Sequence, residues 1–216
     1  MREQDYEIGP VKMVLDDYER FILLRHDVDY YLDYAVQLAE FEHDQGVKST
    51  YFILLHSEFY NALAPKSMEQ IKKIEKLGHE IGWHVDVRYT FDYDERRILQ
   101  DIIKGDIHSY SLHLPTLTSK PNPYLMLSCK EINSDYDVKY ISDSGKHWRE
   151  GCMCNHIGNY PRLQILTHPI WWTTSNNSRA GKFENLWDAQ FSDWQNQFDD
   201  TTSVLKSYLA LMGVSY

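Results

Sequence analysis

The sequence predicts an α/β fold built on parallel strands, and three observations carry that expectation. Short apolar runs recur along the chain between polar or turn-forming residues, the pattern of strands buried on both faces. Amphipathic stretches with helical spacing stand between these runs and stop at glycines. The apolar runs also end repeatedly in ionisable residues: Asp27 and Asp29, His56, His84 and Asp86, His113, Asp143 and His168. In parallel α/β sheets and barrels, chemistry collects at the carboxyl ends of the strands.

Each element follows from its own pattern. Residues 1–20 are mostly polar, with one small apolar run from Val11 to Leu15, and read as a lead-in segment. Phe21-Ile22-Leu23-Leu24 then runs into Arg25-His26-Asp27-Val28-Asp29, a buried strand with two carboxylates at its end. Asp27 and Asp29 lie two residues apart, so in extended backbone they share a face. Tyr31, Tyr34, Ala35, Leu38, Ala39 and Phe41 form a helical stripe that Gly46 closes, and Lys48 to Leu55 is the next buried strand. Met68, Ile71, Ile74 and Leu77 mark a helix over 66–77, stopped by Gly78. The order β-α-β-α with short connections implies right-handed crossovers.

Glu80 to Trp83 reads as a short strand leading to His84, and the spacing of Ile98, Leu99, Ile102, Ile103, Ile107 and Tyr110 predicts a helix over 93–110. The carboxylates of Asp92, Asp94 and Glu95 near its start suit the helix dipole. Further strands are expected at Ser111–Pro115, Tyr124–Ser128, Lys139–Ser142 and Leu163–His168, with a proline-marked loop at 115, 121 and 123 and a glycine-marked loop from Gly145 to Pro161. A last helix is expected over 184–212, where Trp187, Phe191, Trp194, Phe198, Leu205, Tyr208 and Met212 keep helical spacing. With no internal repeat or low-complexity linker, the 216 residues read as a single domain.

Composition narrows the function. The formal net charge is -10, without a basic stripe, which argues against nucleic acid and anionic membranes as partners. No apolar run reaches the length of a membrane span. The charged N-terminus has no apolar core of a signal peptide, and the three cysteines are an odd and sparse set, so the expected compartment is the cytoplasm. Aromatic residues make up 14%, including 16 Tyr and 6 Trp, a lean towards flat surfaces against which sugars pack. Aspartate and histidine together at strand ends suit Zn²⁺ or a similar divalent metal. A separate zinc site at Cys152-x-Cys154-x-His156 is a weaker possibility, since structural sites use wider cysteine spacing and a fourth ligand.

These residues carry a family resemblance. Arg25-His26-Asp27-Val28-Asp29, Gly78-His79-Glu80-Ile81-Gly82-Trp83-His84 and Leu166-Thr167-His168 resemble motifs of the polysaccharide deacetylase superfamily, the NodB-homology or family-four carbohydrate esterases. The strand Ser49-Thr50-Tyr51-Phe52 resembles that family's second barrel strand, and the likeness spans about residues 21–170. The resemblance implies a distorted (β/α) barrel of about seven parallel strands that removes acetyl groups from N- or O-acetylated sugars with a divalent metal. It implies Asp27 as base, Asp29 and His84 as metal ligands and His168 as general acid.

The departures from the family pattern are specific. Where a second motif histidine is usual, this chain has Arg88, which stays protonated and ligates nothing. His113 is the first choice for the third ligand and Asp86 the second. The family's arginine of the third motif is replaced here by Leu114, so Arg25 or Arg88 is expected to take its place. Ser142-Asp143-Ser144-Gly145 with Trp148 resembles a loosened fourth motif. Arg25, Arg88, Asp143, Trp148, Trp171 and Trp172 are the expected substrate-binding residues, with Tyr30 beside the tryptophans. The implied partner is an acetylated sugar or glycan precursor, within surface-polysaccharide biosynthesis. The alternatives are a catalytically weakened carbohydrate-binding barrel and an amidohydrolase acting on another small amide. The sequence leaves the oligomeric state open.

Overall fold

A computed structural model describes residues 6–88, 93–114, 126–175 and 178–212. The prolines at 115, 121 and 123, together with Tyr124 and Asp92, lie outside the described residues. The chain forms two compact units, residues 1–173 and 174–216.

The first unit is a curled sheet of parallel strands with helices. Its elements in order are β1 (Glu7–Gly9), β2 (Phe21–Val28), α1 (Leu32–Asp44), β3 (Thr50–Leu54), α2 (Pro65–Lys76), β4 (Glu80–Asp86), α3 (Tyr93–Ile103), β5 (Ser109–His113), β6 (Leu127–Ser128), α4 (Cys129–Asp135), β7 (Lys139–Ser142) and β8 (Arg162–Thr167). Seven strands run in the order β6-β5-β4-β3-β2-β8-β7, and β1 pairs with β2 beside this path. Every pairing is parallel. The result is the expected distorted (β/α) barrel, open between β6 and β7 among the described residues. The second unit holds α5 (Arg179–Leu211), whose N-cap Ser178 accepts a hydrogen bond from the Gly181 N–H. That cap starts the helix five residues before the expected 184.

Alternation along the strands sorts side chains between the two faces of the sheet. Val28, Tyr51, Ile53, Ile81, Trp83, Val85 and Tyr110 pack with Ala35, Ile71, Ile74 and Leu99 of the helices. Phe21, Leu23 and Phe52 face the other way, against Val11, Met13 and Val14, which belong to a 3₁₀ turn (Val11–Leu15), and against Cys129 and Ile132 of α4. Gly82 lies on this inner face because Phe52 fills the space: a Cβ there would lie 2.3 Å from the phenylalanine ring.

Several expected boundaries move. The helix expected over 93–110 ends at Ile103, because Lys104 turns left-handed (φ 58) and Gly105 follows. Ile107 and Tyr110 kept the helical period by coincidence. Ile107 is buried beyond the helix, and Tyr110 sits in β5. The strand expected to end at Trp83 continues to Asp86, so His84 and Asp86 are strand residues on the face of Gly82. Two elements had no sequence counterpart: β1, with three residues, and α4, whose buried side chains Cys129 and Ile132 mark a single turn.

A polar network is buried between the sheet and α1. His26 contacts Thr167 Oγ1 at 2.6 Å and Glu42 Oε1 at 2.8 Å, while Ser49 and Tyr51 donate to Glu42 Oε2 at 2.7 and 2.8 Å. Burial alone would raise the Glu42 pKa, but the His26 charge and the hydrogen bonds from His26, Ser49 and Tyr51 hold it below its ordinary 4.5. Burial lowers the His79 pKa below its ordinary 6.5, so this imidazole is folded in its neutral form. Both groups bind protons more readily in the unfolded chain, and both therefore withdraw stability as pH falls. The melting temperature is expected to fall as pH drops from 6.5 through 4.5. Glu42→Gln should flatten the lower part of that profile, as a differential scanning calorimetry series would show. A profile equally steep in the variant would contradict this.

Candidate active site

The carboxyl ends of β2, β4, β5 and β8 bring the chemistry together. Asp29 stands one residue beyond β2. Its Oδ1 lies 3.1 Å from His84 Nε2 and 3.3 Å from His113 Nδ1, and its Oδ2 lies 3.7 Å from His168 Nε2. The His84 and His113 rings meet edge to face at 5.2 Å. Asp29, His84 and His113 offer ligand atoms that all lie within 4.8 Å of one another, and they form the metal-capable cluster found among the described residues. Cys152, Cys154 and His156 do not converge in this way.

The donor set suits a divalent cation. Burial alone would raise the Asp29 pKa, but hydrogen bonds from His113 and His84 and the charges of His84 and His168 hold it far below the usual carboxylate range. The site therefore presents an ionised oxygen and two imidazole nitrogens, a hard and borderline set that fits Zn²⁺ and its neighbours.

Asp27, at the inner face of β2, is 4% exposed. Its Oδ2 accepts from Arg25 Nη2 at 2.9 Å, and its Oδ1 accepts from Ser111 Oγ at 3.1 Å. Arg25 also donates to Gln164 Oε1 at 3.2 Å and lies 5.2 Å from the Phe52 ring centroid. Beside it, burial pushes the Cys129 thiol up to about 12, so it stays neutral. His168, beyond β8, sits against Asp143: Nδ1 is 2.7 Å from Oδ1, and the His168 backbone N–H and the Trp172 indole N–H donate to Oδ2 at 3.2 and 2.7 Å. Burial alone would lower the His168 pKa, yet the Asp143 bond and the charges of Asp29 and Asp143 raise it to about 9.

Several expected substrate-binding residues have partners inside the protein. Arg25 is buried against Asp27. Arg88 turns back on its own strand: its N–H, Nε and Nη2 donate to Asp86 at 2.7–3.1 Å, and Nη1 donates to Glu58 at 3.0 Å. It does not reach Asp27, and it contacts both oxygens of Asp86, a residue outside the Asp29, His84 and His113 cluster. Asp143 supports His168 and Trp172. Trp171 is buried with its ring 6.3 Å from Tyr30, which also meets Phe59 at 4.9 Å. Trp172 is half exposed, 6.3 Å from Trp148.

No protein-family model matches the chain, and no curated protein matches it. Among solved structures, a mutant of the peptidoglycan deacetylase PdaC from Bacillus subtilis superposes with a TM-score of 0.50 at 12% identity, covering 89% of this chain and 99% of that one. This chain has the NodB-like polysaccharide deacetylase fold. A family 4 acetyl xylan esterase from Clostridium thermocellum, in complex with a cobalt ion, aligns with a TM-score of 0.47 at 14% identity over 90% of this chain and 92% of that one. A CE4 family pseudoenzyme from Bacillus anthracis aligns with a TM-score of 0.44 at 14% identity over 84% of this chain. The chain spans 62–64% of the length of the Bacillus anthracis pseudoenzyme chains it matches.

Within this NodB-like fold, sequence reasoning passed over Ser111, Gln164, Ser57 and Tyr60. Ser57 Oγ donates to the Asp29 carbonyl at 2.8 Å, and Tyr60 OH donates to the Val28 carbonyl at 2.8 Å, pinning the end of β2. A signal for Ser111 was present: it stands two residues before His113 in the same strand, as Asp27 stands before Asp29.

Proposed function

We propose that this chain is a metal-dependent hydrolase that removes an acetyl group from an N- or O-acetylated sugar. The observation that carries this reading is the meeting, at one edge of the sheet, of an ion-paired buried carboxylate, a three-residue cation donor set and an Asp143-backed histidine. Asp29, His84 and His113 would hold the cation. When bound, it supplies a Lewis acid that draws charge from the acyl oxygen.

The protein's own groups do the proton work. Asp27, ion-paired with Arg25 at 2.9 Å, takes the proton of the attacking water. His168 carries a proton at neutral pH and hands it to the departing nitrogen or oxygen, while Asp143 holds its ring in place. Tyr30, Trp148 and Trp172 offer flat faces for a sugar ring. The proposed setting is the synthesis of a surface polysaccharide in the cytoplasm, where the unpaired Cys129, Cys152 and Cys154 remain thiols.

The test is acetate release from N-acetylglucosamine oligomers and O-acetylated xylan, with Zn²⁺ or Co²⁺ added back after chelation. Metal-dependent release from either sugar is the expected result. Metal binding without release from any acetylated compound would overturn the enzyme reading in favour of a carbohydrate-binding barrel. Release from small amides alone would point to an amidohydrolase of another specificity.

A further inference from the structure

We infer that Ser111 is a positioning residue that sets the tautomer of His84 and ties the cation donor set to Asp27; this rests on the metal reading above. Ser111 is 2% exposed and lies opposite His84 across the β4–β5 pairing. Its Oγ is 2.6 Å from His84 Nδ1 and 3.1 Å from Asp27 Oδ1, and its carbonyl oxygen is 3.3 Å from the same Nδ1.

Counting protons fixes the direction of these bonds. The Asp27 carboxylate accepts only, so the single hydroxyl proton of Ser111 goes to Asp27. The Ser111 oxygen then faces His84 Nδ1 with a lone pair, and the Ser111 carbonyl also accepts only. Both partners of Nδ1 therefore need a donor, and Nδ1 carries the proton. A metal-bound imidazole carries a single proton, and with that proton on Nδ1 the lone pair for a cation is on Nε2, the nitrogen 3.1 Å from Asp29 Oδ1. At that distance Nε2 and the carboxylate oxygen share a proton when the ring is doubly protonated, and a cation takes that proton's place. The chain His84 Nδ1–H to Ser111 Oγ–H to Asp27 thus readies one nitrogen for a metal and orients the base with the same hydroxyl. Strand β5 supplies His113 from the same face two residues later, so one short strand provides both a donor and the group that aims another.

Bulk and hydroxyl are separated by an isosteric pair, Ser111→Thr and Ser111→Val, with Ser111→Ala as the small variant. Co²⁺ affinity is read by titration of its visible absorption, and the His84 tautomer by ring ¹⁵N shifts in the Zn²⁺-loaded protein. The threonine variant is expected to bind Co²⁺ like the original. The valine and alanine variants are expected to lose about 10–100-fold in affinity and to blur the His84 ¹⁵N pattern. Equal affinity and unchanged ¹⁵N shifts in threonine and valine variants would overturn the role of Ser111 while leaving the metal reading intact. Failure of the unsubstituted protein to take up Co²⁺ would overturn both.

Discussion

Asp29→Ala is expected to abolish Co²⁺ and Zn²⁺ binding and to lower acetate release on the order of 10³-fold, with the barrel still folded. Asp29 is the carboxylate of the donor set, and its Oδ1 is the atom shared by His84 and His113. Without it, two imidazoles remain and charge compensation for a dication is lost. The position lies just past β2, so no ladder hydrogen bond depends on its side chain. Metal content by atomic emission after dialysis is the direct measurement, with circular dichroism as the check on folding. Asp86→Ala is the matched control. Its carboxylate is held by Arg88, so the metal should stay bound. Full retention in Asp29→Ala, or loss in Asp86→Ala alone, would overturn the ligand set.

Arg25→Met carries the second large effect, a loss of about 3–5 kcal/mol of stability. Arg25 and Asp27 are both within a few per cent of complete burial, at 5% and 4% exposure, and their bond is 2.9 Å. Removing the guanidinium leaves a carboxylate in a low-dielectric interior, with the Ser111 hydroxyl at 3.1 Å and His84 Nε2 at 3.8 Å in place of a 2.9 Å ion pair. Urea unfolding gives the size. The double variant Arg25→Met/Asp27→Leu separates the causes, because an apolar pair of similar bulk avoids the stranded charge. Much of the lost stability should return while acetate release stays absent. A double variant as unstable as Arg25→Met would place the defect in packing against Phe52 and Gln164 instead.

Much of the site was legible along the chain because it is local. Asp27 and Asp29 share a face by strand period, and so do Ser111 and His113. The glycine-flanked run to His84 and the strand ending at His168 were readable in the same way. Helix ends were less legible: Ile107 and Tyr110 continued the spacing of α3 past its end, and only the left-handed turn at Lys104 and Gly105 stops it. Contacts made by long side chains were not legible. Arg25, Arg88 and Asp143, expected by motif resemblance to bind substrate, are each engaged by a protein group, and sequence spacing does not encode those pairs.

The sequence by itself determined the parallel α/β barrel, the strand ends that carry chemistry, and the short list of ionisable groups there. Those follow from period-two and helical patterns, which depend on neighbours a few residues away. Only the tertiary structure brings His113, and not Asp86, into one cluster with Asp29 and His84, through two contacts that no local pattern encodes. The β4–β5 register sets Asp86 opposite His113 and His84 opposite Ser111. Arg88 folds back onto Asp86 and neutralises it, while His113 remains turned towards Asp29.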